Sequence, residues 1–125
     1  MSAEVTYQET EQVIAIRYDG MVDRNALMES LGQASHLAKE KNTYRFLTDC
    51  SRMAADGHTL TDVFFGIKAV TESIPRVAGY REAILRPQDA EAEKLVSFWE
   101  TTGHNRGLNI RIFDDRDTAL DWLRH

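Results

Sequence analysis

Apolar and polar positions change period along this chain in a way that sorts it into strands and helices. In residues 13–18, Ile14, Ile16 and Tyr18 alternate with Ala15 and Arg17, and in 109–113, Ile110 and Ile112 alternate with Asn109 and Arg111. Period two is the pattern of a strand with two distinct faces. Between these segments the apolar spacing lengthens to three and four. Leu27, Leu31, Ala34 and Ala38 fall on one face of a helix that Asp23 can cap and that runs to Lys41, with Lys39 and Lys41 at its negative end. Leu60, Val63, Phe64, Ile67, Val70 and Ile74 form the inward stripe of a second helix, capped by Thr59 and stopped by Pro75. Ala92, Leu95, Val96 and Trp99 form that of a third, spanning 88–104, with Gly103 or Gly107 available to end it.

Short strands fill the intervals. Residues 5–7 and 13–18 read as an antiparallel hairpin across a polar loop, with Asp19 and Gly20 ending its second strand. Residues 44–49 and 80–86 supply two more strands. The fifth, 109–113, runs into a final helix that Asp114 or Asp115 caps and that closes on Trp122 and Leu123. Strands alternating with helices of this length require parallel pairing through right-handed crossovers. The expectation is therefore an α/β fold: a five-stranded mixed sheet with an antiparallel amino-terminal edge strand, sequential βα units and four helices. Sequential winding favours all helices on one side.

Composition narrows the class. A chain of 125 residues, 42% hydrophobic and 28% charged with 2 prolines, suits a single globular domain over 1–125. Its net charge of −5 argues against nucleic acid as a partner. No apolar run approaches the roughly 20 residues that span a bilayer, and the amino-terminal residues lack the basic and apolar segments of a secretory signal. A cytoplasmic location is expected. The single cysteine, Cys50, has no internal disulfide partner and none of the companions of a zinc or redox motif.

The order of these pieces carries a resemblance. A hairpin ending in Tyr18-Asp19-Gly20, a long helix, a strand closing as Leu47-Thr48-Asp49-Cys50-Ser51, an apolar Ala83-Ile84-Leu85 strand and the Ile112-to-Leu123 ending resemble the SpoIIAA-like, or STAS/SEC14-type, small bacterial proteins. The likeness spans nearly the whole chain. It implies a sheet of sequentially wound βα units that binds protein partners or apolar ligands, commonly without catalysis and without a cofactor. In anti-sigma-factor antagonists of this type a phosphorylated serine opens a helix after an Asp-Ser-Ser-Gly-like turn. Here residues 54–59 contain no serine, and Ser51 lies elsewhere, at the expected strand end, so the phosphoswitch is not carried over.

Several groups are candidates for chemistry. Asp19, Asp49, Asp114 and Asp115 fall at expected carboxyl ends of strands, where open α/β sheets usually bind ligands. Converging there, they would hold Mg²⁺ in a receiver-like or enzymatic site. Such a site wants its adjacent acids after an early strand and a lysine after the last. This chain puts the pair last and has no lysine beyond Lys94, so capping and turn roles are the favoured reading and no metal is expected. His36, His58, His104 and His125 share no metal-ligand spacing. His58, beside Gly57 in the longest internal loop, is the one worth testing. The 7 glycines form no phosphate cradle.

Two surfaces remain. With Ile14, Ile16, Phe46, Ile84, Ile110 and Ile112 facing the helices, strand alternation sends Arg17, Arg45, Arg81 and Arg111 to the opposite face. If that face is open, the arginines offer two-pronged donors to an acidic partner or anionic ligand. The same phase aims Glu82 at the core. Phe65 and Phe98 lie off the inward stripes of their helices and mark either a wider core or an apolar patch. The reading that results is a non-catalytic module engaging a protein partner or small ligand; if Phe65 marks a patch rather than a wider core, a homodimer contact centres on it. Its partner- or ligand-binding candidates are Asp49, Ser51, His58, Phe64, Phe65, Arg17, Arg45 and Arg111. A carrier of small apolar molecules or lipid is the alternative, with a pocket under the second helix lined by Phe64, Phe65, Ile67 and Val70.

Overall fold

The computed structural model describes residues 2–55, 60–73 and 79–125, with side chains throughout these segments except at 2, 60–64 and 73. Its elements follow in the order β1 (Ser2–Gln8), β2 (Val13–Met21), α1 (Arg24–Lys41), β3 (Arg45–Ala54), α2 (Leu60–Ser73), β4 (Arg81–Leu85), α3 (Ala90–Asn105), β5 (Ile110–Phe113) and α4 (Arg116–Arg124). The strands lie side by side in sequence order, β1 antiparallel to β2 and all later neighbours parallel. This is the five-stranded mixed sheet and four-helix α/β fold that the periodicity implies.

Local chemistry sets the helix starts. The side chains of Asp23, Asp89 and Asp115 accept from the backbone N–H three residues on, at 2.8, 3.0 and 2.9 Å. Each satisfies one of the amides that a helix start leaves without an internal partner. Asn42 ends α1 in the left-handed region at φ 51°, and its N–H reaches back to the last turn. The expected Thr59 cap and the Ile74–Pro75 stop lie outside the described residues.

Strands β1, β2 and β3 run longer than their apolar signal. β1 pairs with β2 from Ser2↔Asp19 to Gln8↔Val13, although its ends are polar. β3 does not stop at Asp49. It continues to Ala54, pairing Asp19↔Arg52, Gly20↔Met53 and Met21↔Ala54 beyond a register shift between Arg17 and Asp19. Asp19 and Asp49 therefore sit within strands, which corrects their placement at strand ends. Backbone pairing with a neighbour extended these strands past the residues that carry an alternating pattern.

The helices do not all share one face. Ile14, Ile16, Tyr18, Phe46, Cys50, Ile84 and Ile110 form one core with α1, α2 and α3. Val13, Leu47, Ala83, Leu85 and Phe113 form a second with Ala119, Leu120 and Leu123 of α4. The reason is topological. α1, α2 and α3 each connect two parallel strands that advance in the same direction, so right-handed crossovers place them together. α4 joins no two strands of this sheet, so that rule does not place it, and it covers the bare face across β3, β4 and β5.

Two glycines allow close approach on the three-helix side. A Cβ on Gly66 of α2 would come within 2.8 Å of the Trp99 ring, and one on Gly103 of α3 within 2.3 Å of Ile110 Cδ1. α2 thus rests directly on Trp99, and α3 on β5.

Candidate functional site

The three-helix core contains a carboxyl group. Along β4, Glu82 shares its face with Ile84, and its Cα lies between Phe46 of β3 and Ile110 of β5 in register. It is 6% exposed. Its two oxygens are engaged separately: Thr48 Oγ1 donates to Oε2 at 2.6 Å and Trp99 Nε1 donates to Oε1 at 2.9 Å. Among the described residues no lysine, arginine or histidine pairs with it. Burial raises its pKa, and the two donors oppose that rise without cancelling it. Burial, joined by the charge of Glu82, also raises the Tyr80 phenol and the Cys50 thiol. Cys50 is accordingly a free but protonated and inert thiol. Tyr18 is held nearby by a 2.6 Å hydrogen bond to Ser30 Oγ, which itself donates to Leu27 O.

Two cavities flank this carboxyl. One of about 220 Å³ lies between α1, α2 and the sheet and is bounded by Phe46, Tyr80, Trp99, Val70, Leu31 and Glu82. Exposed Met28 and Gly32 stand on its outer side. A smaller one of about 60 Å³ lies toward α3, against Tyr18, Cys50, Met53, Leu95, Trp99 and Glu82. The expected pocket beneath the second helix thus has a counterpart, but α1 supplies most of its helical wall. Among the side chains expected to line it, Val70 does so; Ile67 is fully buried in the core instead, and the Phe64 side chain lies outside the described residues. Sequence reasoning missed Glu82, Thr48 and Trp99 as a group. The available signal was an acid one residue before the wholly apolar run 83–85.

The outer surface of α1 and α2 carries two of the exposed large apolar residues, Met28 and Phe65, while Met21 ends β2. Met21, Met28 and Phe65 are the large hydrophobic side chains exposed among the described residues, Phe65 at 41%. The Arg24 guanidinium lies 5.4 Å over the Phe65 ring. Met28 follows one turn along α1, and Ala69 one turn along α2, both at the rim of the larger cavity. Phe98, in contrast, packs against the core and takes the structural role.

On the opposite face, the strand register sets Arg17, Arg45, Arg81 and Arg111 on the same side as Leu47 and Ala83. That face is not open, because α4 covers its middle. Arg45 and Arg81 donate through Nη1 to the Leu123 and Trp122 carbonyls at the end of α4. Arg81 also stands 5.2 Å over the Trp122 ring. Partial burial, and then the neighbouring charge of Arg81, lower the pKa of Arg45. The row is divided: two arginines anchor the helix, while Arg17 and Arg111 remain exposed, Arg111 lying 5.5 Å over Phe113.

The acids are dispersed. Asp19 pairs with Arg52 at 3.6 Å, Asp114 with Arg86 at 2.7 Å, and Asp115 caps α4. Asp49 Oδ1 accepts both the backbone N–H of Ser51 at 3.0 Å and its hydroxyl at 2.6 Å. Among the described residues, no group of three or more histidines, cysteines and acids is placed to hold a metal. His104 Nε2 lies 2.5 Å from the Ile110 carbonyl, His36 sits beside Glu40 one turn along α1, and His125, just past α4, beside Asp121. His58 lies outside the described residues.

No family model matches the chain, and no curated protein matches it. Solved structures do. The anti-sigma factor antagonist SpoIIAA in its unphosphorylated form is similar with a TM-score of 0.66 at 16% identity, each chain covered over 98% of its length. An uncharacterised protein of the DUF3478 family from Shewanella loihica, described as having a SpoIIAA-like fold, is similar with a TM-score of 0.55 at 19% identity, over 98% of this chain and 92% of that one. The chain has the SpoIIAA-like fold. No described helix is long and apolar enough to cross a membrane.

Proposed function

We propose that this chain is a non-catalytic regulatory module that engages a protein partner through the outer surface of α1 and α2. The observation that carries the reading is the grouping of exposed apolar side chains: Phe65 under Arg24 on one helix, and Met28 one turn from Arg24 on the other. Apolar groups joined by an arginine, on an otherwise charged surface, suit a protein contact, whose centre favours aromatics, methionine and arginine. The likeness to an anti-sigma factor antagonist, a protein that acts on other proteins, supports the same class. The state of the reactive side chains also speaks for binding over catalysis. Cys50 is buried and protonated, the Ser51 hydroxyl donates to Asp49, and His104 is tied to a backbone carbonyl.

The test compares wild type with Phe65→Glu and Met28→Glu as bait, and with Arg111→Gln as a control on the opposite face. A partner retained by wild type and by Arg111→Gln, but released by both acidic substitutions, is the expected result. Retention that ignores both changes removes the reading. Light scattering on the same proteins identifies the case in which the partner is a second copy: a wild-type dimer that Phe65→Glu disperses.

A further inference from the structure

The partner surface leaves the buried carboxyl and its cavities unexplained. A carboxyl in an apolar core is costly: the charged form loses hydration, and the neutral form surrenders the strongest interactions that a carboxylate can make. A core that needed only volume would be better served here by leucine or methionine. Yet Glu82 is oriented with care, one oxygen held by Thr48 and the other by Trp99, and Trp99 is in turn set by α2 resting on it at Gly66. Two hydrogen-bond donors aimed at separate oxygens favour the anionic state, but by themselves they do not offset its burial. What the arrangement lacks is a cation, and none is supplied by the described residues.

The space beside it suits one. The larger cavity measures about 220 Å³, whereas an apolar cavity of about 150 Å³ already admits a benzene-sized guest. It is lined by three aromatic residues, Phe46, Tyr80 and Trp99, as well as by Glu82. Aromatic rings attract an ammonium group through their electron-rich faces, and a carboxylate adds a charge-assisted hydrogen bond. A neutral guest would gain from the apolar walls alone.

We propose that the cavity between α1, α2 and the sheet is a binding site for a small apolar amine, whose ammonium group pairs with Glu82 among Phe46, Tyr80 and Trp99 while its hydrocarbon body lies against Leu31 and Val70. The amine enters past Met28 and Gly32 on the exposed side of α1. The site is distinct from the partner surface, although Met28 borders both, and its test uses the isolated protein.

The probes are benzylamine, benzyl alcohol and toluene, which share a ring and differ in the group offered to Glu82. The chain has 2 tryptophans, so its indole N–H resonances are those of Trp99 and Trp122. Only Trp99 touches Glu82, while Trp122 packs on the far face. Titration of wild type with benzylamine should shift the Trp99 resonance saturably and leave Trp122 in place. Benzylamine should bind about tenfold more tightly than benzyl alcohol, the equivalent of about 1.4 kcal/mol. Glu82→Gln should erase that preference and leave the Trp122 resonance at its wild-type position. Equal affinity for the alcohol or toluene overturns the amine class, and a Trp99 resonance unmoved by all three overturns the site. The wild-type ranking of the probes decides the matter even if Glu82→Gln fails to fold.

Discussion

The two faces of this sheet are built to different standards. The α4 face is an aliphatic and aromatic layer, Val13, Leu47, Leu85 and Phe113 against Leu120 and Leu123, and its polar contacts lie at the margin. There Arg45 and Arg81 donate to the last carbonyls of α4, where a cation also meets the negative end of the helix dipole. The other face carries three helices, with cavities between them and the sheet. It encloses Glu82, the Tyr18–Ser30 pair, Cys50 and two cavities. Close packing is the ordinary condition of a protein interior, and a buried ionisable group beside open space departs from it. The contrast separates a face that holds the sheet together from a face with room and chemistry to spare.

The comparison is sharpened first where the largest effect is expected. Leu123→Ala empties a closely packed position and should cost about 2–5 kcal/mol in urea denaturation, without altering capture by the α1–α2 surface. A loss of partner binding in a variant that still folds would show that the two faces are coupled and break the division. Next, Arg45→Met and Arg81→Met each remove a charged donor to the end of α4 and should cost about 1–2 kcal/mol. The exposed pair, Arg17→Gln and Arg111→Gln, should leave the denaturation midpoint unchanged. If all four behave alike, the arginine row acts as one surface and the anchoring role of Arg45 and Arg81 is wrong.

Glu82 gives a pH signature opposite in sign to that of the α4 cap. The folded chain holds the Glu82 proton to higher pH than the unfolded chain does, because burial raises its pKa above the ordinary 4.5. As pH rises above that ordinary value, the unfolded state binds fewer protons than the folded one. Stability then falls until Glu82 itself ionises in the fold. Denaturation of wild type from mildly acidic to mildly alkaline pH should show this decline, and Glu82→Gln should flatten it while still offering Trp99 an amide oxygen. A decline that survives the substitution assigns the effect to another group.

The smallest difference lies at the start of α4. Asp115 accepts both the backbone N–H and the hydroxyl of Thr118, and these bonds lower its pKa. Its stabilisation is therefore present at neutral pH and fades as pH falls through that lowered value. Asp114 makes an exposed pair with Arg86. Thermal melts should show a lower midpoint for Asp115→Ala and a smaller change, near none, for Asp114→Ala. The reverse order would assign the cap to the wrong residue.

The sequence by itself determined what depends on neighbours along the chain. Alternation of Ile14, Ile16 and Tyr18 with Ala15 and Arg17 settled which strand residues share a face, since a strand has only two. Asp23 before an apolar stripe marked the start of α1, and the count and order of strands and helices followed from such signals. Contacts between elements decided the rest. β3 runs on past Asp49 because β2 pairs with it there, and a stretch without strand alternation advertises no such partner. The side on which α4 packs was hidden because its apolar stripe, Ala119, Leu120 and Leu123, fits either face of a sheet; only the face left bare by the crossovers selected it. The two uncovered candidates, Arg17 and Arg111, differ from Arg45 and Arg81 for the same reason, since all four read alike until the helix end arrives. Glu82 is the sharpest case. Its inward phase was legible, but its two hydrogen-bond donors come from β3 and α3, and the cavity beside it from α1 and α2. A site assembled from several separate elements has no signature in any one of them.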